Sequence, residues 1–277
     1  MQEEKFPARL HILIARKNKT ALVIRRGPSK STCILGWDRT NDTFEVSQWI
    51  KGRIYERRSD ISASGKHWIY FAMNGKWDSE VKGSWTAIGK APWLKALILY
   101  AKGDCWNGGG LFLDDKEYWL NDGYGHELLL NSSELKRVES YSPPNQYGGE
   151  CLNVYYNRLQ RDGWSLKEKA EKGKWNSETV FEKEIKNRWF LYKTCHEQVG
   201  SPKGKGCYWD EHELKAVDGE SFSKPNWEWA EWVDNSIVYA EKGCLYRVYV
   251  KSSRKLSEPN LLHDFNEYKF ENKEAPY

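Results

Sequence analysis

Four residues in one stretch have the types of a zinc ligand set: Cys195 and His196, then Cys207 after ten residues and His212 after four more. Their spacing argues against a shared ion. Neighbours on a strand point to opposite faces, so Cys195 and His196 cannot easily bind the same metal. The expectation is therefore no metal and no cofactor. The overlapping run YWDEHE (208–213) surrounds an imidazole with carboxylates, and alternation sends Asp210 and His212 to one face, Glu211 and Glu213 to the other. An Asp-oriented general base is chemically reasonable there, but no nucleophile accompanies it. Asp210 and His212 are accordingly read as binding candidates on a hairpin, with no catalytic residue assigned.

Two other stretches bear on chemistry. GDCWNGGG (103–110) resembles a phosphate loop in its glycines alone. It lacks the Gly-Lys-Ser/Thr ending and opens no helix, so it reads as a flexible hairpin loop displaying Cys105 and Trp106, with Asp104 beside them as a further binding candidate. The set Arg25, Arg26, Lys30, Lys51, Arg53, Arg57 and Arg58 is interleaved with Trp37, Trp49 and Tyr55. Cations beside stacking rings suit an acidic partner or single-stranded nucleic acid. Trp49, Arg53, Arg57 and Arg58 are the preferred binding surface on this reading.

The charge balance limits the second possibility. The chain carries 43 Lys/Arg against 39 Asp/Glu, a net +4, which is not that of a dedicated nucleic-acid binder. The charge is uneven: residues 1–58 hold 13 Lys/Arg and 6 Asp/Glu, hence +7, leaving −3 for the rest. The six cysteines are scattered and read as free thiols of a reducing compartment. The opening MQEEKFPARLHILIARKNK puts acids first and has a short apolar run, unlike a secretory signal, and no later segment has the length of a membrane span. A cytoplasmic chain of bacterial type, with no membrane partner, is expected.

The elements that must position these residues are strands. RLHILIAR, TALVIRRG, STCILGWD and TFEVSQWI are four β-rich runs separated by polar turns, the pattern of one antiparallel sheet. Farther on, ALILYAKGDCWNGGGLF (96–112) and NSIVYAEKGCLYRVYV (235–250) share an outline, an aliphatic run into Tyr-Ala, a charged Gly-containing turn, then Leu and an aromatic. HWIYFAMNGKW (67–77) and RWFLYKTCHEQ (188–198) are looser copies. Recurring hairpins imply a repeat architecture. SPPNQYGGE (142–150) reads as a connector, NVYYNRLQRDGW as strand, and only SSELKRVE and SLKEKAEKGK (165–174) have any helical character.

The segment SDISASGKHWIYF carries a family resemblance. Asp60, Ser62, Gly65, Lys66, Ile69 and Phe71 stand where the WD40-like repeats of TolB-type β-propellers have their D-x-S-P-D-G-K phrase, with Ala63 and Ser64 replacing the usual Pro and Asp. The resemblance implies architecture and no activity. Asp60 and Ser62 are expected to cap the turn and Gly65 to take its positive-φ position. The fold expected is all-β, a single β-propeller domain over 1–277 with four-stranded antiparallel blades, five in number or six.

The functional expectation is a non-catalytic module that docks another protein, a scaffold or subunit using propeller faces and loops. The alternatives are a glycosidase-like hydrolase and a nucleic-acid-binding propeller. The hydrolase needs two or three of Asp60, Asp104, Asp114, Asp115, Asp122, Asp210 and Asp234 to converge on one pocket.

Overall fold

The computed structural model describes residues 6–27, 30–123, 125–169, 177–198, 200, 202, 205–217, 221–252 and 255–277. The chain divides into two compact units. Unit 1 holds Phe6, His11–Arg158 and Tyr268–Tyr277, and unit 2 holds Pro7–Leu10 and Leu159–Glu267. Among the described residues the chain is all-β apart from one α-helix and two single turns of 3-10 helix, and its sheets are mostly antiparallel ones of four or more strands, the kind from which propellers are built.

Unit 1 begins with β1 (Arg9–Ile14), β2 (Thr20–Arg26), β3 (Thr32–Asp38) and β4 (Thr43–Ile50), joined in chain order as a four-stranded sheet. The four apolar runs of the sequence are these four strands. A second sheet is built from β5 (Arg53–Ile54), β6 (Asp60–Ile61), β7 (His67–Met73), β8 (Ser84–Lys90) and β9 (Ala96–Ala101). The chain then leaves for β10 (Gly110–Phe112) and β11 (Glu117–Leu120), returns as β12 (Glu127–Leu130) beside β9, and closes the third sheet with β13 (Lys136–Arg137).

Residues 68–72 of β7 are all buried, which requires cover on both faces of its sheet. Alternation supplies it: Trp68, Tyr70 and Ala72 pack with Leu13, Leu22, Ile24 and Ile34, while Ile69 packs with Ile98, Phe112 and Tyr118. Each such side chain contributes roughly 1.5–3 kcal/mol by burial, so this double-faced strand is the anchor of unit 1.

Unit 1 also contains most of helix α1 (Leu152–Arg161), where the sequence reads as strand. Val154, Tyr155 and Tyr156 are β-formers, yet Val154 to Leu159 is a continuously buried run. Packing outweighs propensity there. Conversely, SSELKRVE is loop and the short strand β13, and residues 165–168 are strand; 170–174 lie outside the described residues.

In unit 2, β14 (Ser165–Glu168), β15 (Ser177–Glu184), β16 (Trp189–Glu197), β17 (Tyr208–Ala216) and β18 (Ser221–Lys224) pair in chain order. A four-stranded sheet follows from β19 (Trp229–Val233), β20 (Ser236–Glu241) and β21 (Cys244–Val248), completed after the hairpin β22 (Val250–Ser252) and β23 (Lys255–Leu256) by β24 (Asn260–Asp264). The repeated phrase at 235–250 is a true hairpin, turning through Lys242 and Gly243, both at positive φ. The copy at 96–112 is not: β9 and β10 belong to different sheets, and the segment between them is a loop bridging sheets. The SASGK turn behaves as expected at Ser62, whose Oγ accepts the His67 N–H at 3.1 Å, and at Gly65 with φ 71°. Asp60 differs, for its carboxylate accepts the Phe112 N–H at 2.7 Å and so ties β6 to β10.

Candidate functional site

The loop after β9 is held from several sides. The buried Lys102 Nζ meets Asp104 Oδ2 at 2.7 Å, Asp104 Oδ1 accepts the Trp106 N–H at 2.8 Å, and Ser84 Oγ donates to the Asp104 carbonyl at 2.6 Å. Arg58 Nη1 donates to the carbonyls of Cys105, at 2.7 Å, and Asn107. The Asn121 amide donates to the Gly108 carbonyl at 3.1 Å. This framework displays Trp106 at 54% exposure. A second exposed tryptophan, Trp77 at 52%, sits on the β7–β8 loop against Gly83, and Lys82 of that loop lies against Gly103. Among the described tryptophans the others are buried or half-buried.

Unit 1 also contains a cavity of about 430 Å³ lined by Tyr100, Tyr118, His126, Ser132, Lys136 and Arg137 among others. His126 donates from Nδ1 to Asp122 Oδ1 at 2.7 Å, and Arg137 donates to Asp122 Oδ2 at 3.3 Å. The other ring nitrogen therefore accepts from Thr86 Oγ1 at 3.2 Å, and Thr86 Oγ1 in turn accepts the Gly109 N–H at 2.9 Å. Burial lowers the His126 pKa despite the Asp122 carboxylate, which keeps the ring neutral near pH 7. The carboxylate, imidazole and hydroxyl line up as in a nucleophilic triad. Thr86 is fully buried, however, and its oxygen already serves Gly109, so the relay is structural.

At the cavity floor the Tyr100 and Tyr118 hydroxyls bond each other at 2.8 Å. Burial, and then the bond to Tyr100, push the Tyr118 pKa up, so Tyr118 keeps its proton. The sequence reading missed this constellation. Its one local signal is the Asp122–His126 spacing in a glycine-containing loop; the tyrosines and Arg137 arrive from three different strands.

Most of the candidate aspartates of the hydrolase reading have contacts of their own among the described residues. Asp60 serves Phe112, Asp104 serves Lys102 and Trp106, Asp114 caps the Lys116 and Glu117 N–H groups, and Asp115 accepts from Ser64 and faces Lys17. Asp122 is shared by His126 and Arg137. Asp210 belongs to unit 2, and Asp234 sits in the β19–β20 turn at positive φ.

Asp210 and His212 share a face of β17, as alternation requires, but that face is interior, not a loop surface. His212 Nδ1 donates to the Trp227 carbonyl at 2.7 Å, so its Nε2 accepts from Lys193 Nζ at 3.0 Å. Lys193 also lies 3.9 Å from Asp210 and over the Trp164 ring. Cys195 is buried while His196 faces outward, stacked on Trp209 between Glu178 and Glu211. No cluster of three metal-type ligands occurs among the described residues.

The basic-aromatic set is also redistributed. Arg57 and Arg58 are 7% and 3% exposed, so they cannot form the expected surface. Arg57 covers the Tyr155 ring, and Arg58 lies between the Tyr55 and Phe71 rings with Nε on Cys151 Sγ at 3.1 Å. Arg53 is exposed over Tyr55, and half-buried Trp49 packs on Phe270 under Arg25. No helix among the described residues is long and apolar enough to cross a membrane.

No family model matches this chain, and no curated protein is significantly similar to it. One solved structure that aligns with it is the GH93 alpha-L-arabinofuranosidase of Fusarium graminearum in complex with arabinobiose. The alignment covers 91% of this chain and 63% of that one at 10% identity, with a TM-score of 0.20. This chain thus spans less than two thirds of that enzyme, and a likeness of this degree carries no argument about fold or activity.

Proposed function

We propose that this chain is a non-catalytic protein-interaction module that presents Trp106 and Trp77 to a protein partner. The observation that carries this reading is the pair of exposed indoles on loops that touch, one of them on a framework of Asp104, Lys102 and Arg58 contacts. Tryptophan anchors are enriched where interfaces concentrate their energy, and an anchor already fixed before binding costs less to order. The engagement of Asp60, Asp104, Asp114 and Asp122 in loop, turn and strand contacts favours this over hydrolysis. The resemblance to a TolB-type repeat, confined to one turn, fits a module of stacked sheets and brings no chemistry with it.

The test is affinity capture from the source organism with wild type and a Trp77→Ala/Trp106→Ala variant, the fold of both verified by circular dichroism. A partner recovered in stoichiometric yield with wild type and lost with the variant supports the proposal. Equal recovery with both rejects this surface. Turnover of chromogenic glycosides that Asp122→Asn abolishes would replace the module with an enzyme.

A further inference from the structure

We infer that the unit-1 cavity is a carboxylate-binding site. The cavity's hydrogen-bond supply points to this ligand, independently of the tryptophan surface. Tyr100 and Tyr118 are each more than nine-tenths buried, and their hydroxyls bond each other. Two phenols bring two protons, and their mutual bond uses one. The second O–H has no acceptor among the described residues, and an unmet buried donor costs about 1–3 kcal/mol. A ligand acceptor would remove that cost.

The neighbouring side chains have the same bias. Arg137 carries five N–H donors, and among the described residues its one side-chain hydrogen bond is the 3.3 Å contact to Asp122. Lys136 reaches the rim, paired at 3.1 Å to the half-exposed Glu117. The acceptors present are largely engaged: Asn131 Oδ1 takes the Ser132 N–H, Ser132 Oγ takes the Glu134 N–H, and Asp122 takes His126 and Arg137. Glu139, exposed, is the one carboxylate among the described lining residues. Neutral His126 adds no donor, since its Nδ1–H is already given to Asp122.

A carboxylate matches this pattern. One oxygen takes the buried phenol O–H, and the planar guanidinium of Arg137 binds a carboxylate through paired N–H donors better than it binds a neutral carbonyl. A cation would meet one acid, Glu139, against the two cationic side chains Arg137 and Lys136 of the lining, and a phosphate carries more charge than Arg137 and the already paired Lys136 balance. The volume of about 430 Å³ falls within the range of small-ligand sites. It admits either a free small carboxylic acid or the side chain of a glutamate.

Calorimetric titration of the full chain separates the two sources. The probes are succinate and N-acetyl-glutamate amide, with succinamide and N-acetyl-glutamine amide as uncharged controls. At least one carboxylate is expected to bind about tenfold or more tighter than its amide, and the one that binds identifies the source. Arg137→Gln is expected to weaken it about tenfold. Tyr100→Phe/Tyr118→Phe removes both hydroxyls together, which leaves no orphaned partner and preserves shape, and is expected to weaken binding by a similar factor. Absence of binding by both carboxylates at tens of millimolar overturns the assignment. So do equal affinities for acid and amide, or a folded double-phenylalanine variant that binds like wild type.

Discussion

Replacing Glu56 by glutamine tests whether the basic N-terminal region is wired inward. Glu56 occupies a single 3-10 turn, and its carboxylate lies 3.2 Å from Arg26 Nη2 of β2, with both side chains less than one-fifth exposed. Burial by itself would raise its pKa, but the charges of Arg26, Arg53 and His11 outweigh burial and bring it from 4.5 down to about 2. A depressed carboxylate pKa means that folding favours the ionised form. The stabilisation is complete above the unfolded value near 4.5 and is lost as pH falls through about 2. At about 1.4 kcal/mol per pH unit the gap corresponds to about 3 kcal/mol at neutral pH. Glu56→Gln preserves shape and removes the charge, so urea unfolding followed by tryptophan fluorescence should show a loss of about 2–3 kcal/mol at pH 7. At about pH 3.5 part of the wild-type advantage has already titrated away, and the difference between the two proteins should narrow by about 1 kcal/mol. A difference independent of pH, or one below about 0.5 kcal/mol at pH 7, would refute the electrostatic account. A double-mutant cycle with Arg26→Met assigns the pair its share.

Two further predictions follow from backbone space and from buried imidazoles. Gly75 and Gly109 both have φ near +72°, but a Cβ at Gly75 meets open space and one at Gly109 falls 1.8 Å from the Arg58 carbonyl oxygen. Gly75→Ala should cost about 1 kcal/mol and Gly109→Ala at least about 3; similar melting temperatures for the two variants would contradict the packing of the Trp106 loop. His67, His126 and His263 all have pKa values lowered chiefly by burial. The unfolded chain then binds protons more readily, so the urea midpoint should fall as pH drops below about 6.5; a midpoint that holds or rises between neutral pH and about 5.5 counts against those burials.

What the sequence makes legible is local. The strands β1 to β4 follow from apolar runs with polar turns, and the alternation that separates Cys195 from His196 and joins Asp210 to His212 is the alternation the structure shows. The Trp106 loop is also readable, because three glycines beside an indole make a displayed turn. The sequence does not reveal which side of a strand is interior. Asp210 and His212 look like solvated charges, yet Lys193 and the Trp227 carbonyl satisfy them inside unit 2. Helix α1 is hidden by its β-forming tyrosines, whose burial decides their conformation. The cavity is invisible for a topological reason. β12 returns to the second sheet while β13 joins the third, and that crossing brings His126 and Arg137 to Tyr100 and Tyr118.

The same distinction decides how the +7 of residues 1–58 should be understood. A phosphate-binding surface needs guanidinium groups facing water, and here most of them face carbonyls and rings. Arg39 donates to the Asn18 carbonyl at 2.5 Å, Arg25 to that of Gly27, and Arg58 to Cys105 and Asn107, while Arg57 and Arg58 also cover aromatic rings. Sheet ends and tight loops leave carbonyl oxygens without strand partners, and a planar fork with five donors that never loses its proton can satisfy several at once. Arg16, Lys17, Lys19, Lys30, Lys51 and Arg53 are exposed in this region, and Arg53 already lies on Tyr55. The buried guanidinium groups of Arg25, Arg39, Arg57 and Arg58 are therefore a structural device in unit 1, and their consequence for function is indirect. By fixing the carbonyls of the 105–107 loop, Arg58 holds Trp106 in the orientation that makes it usable as an anchor.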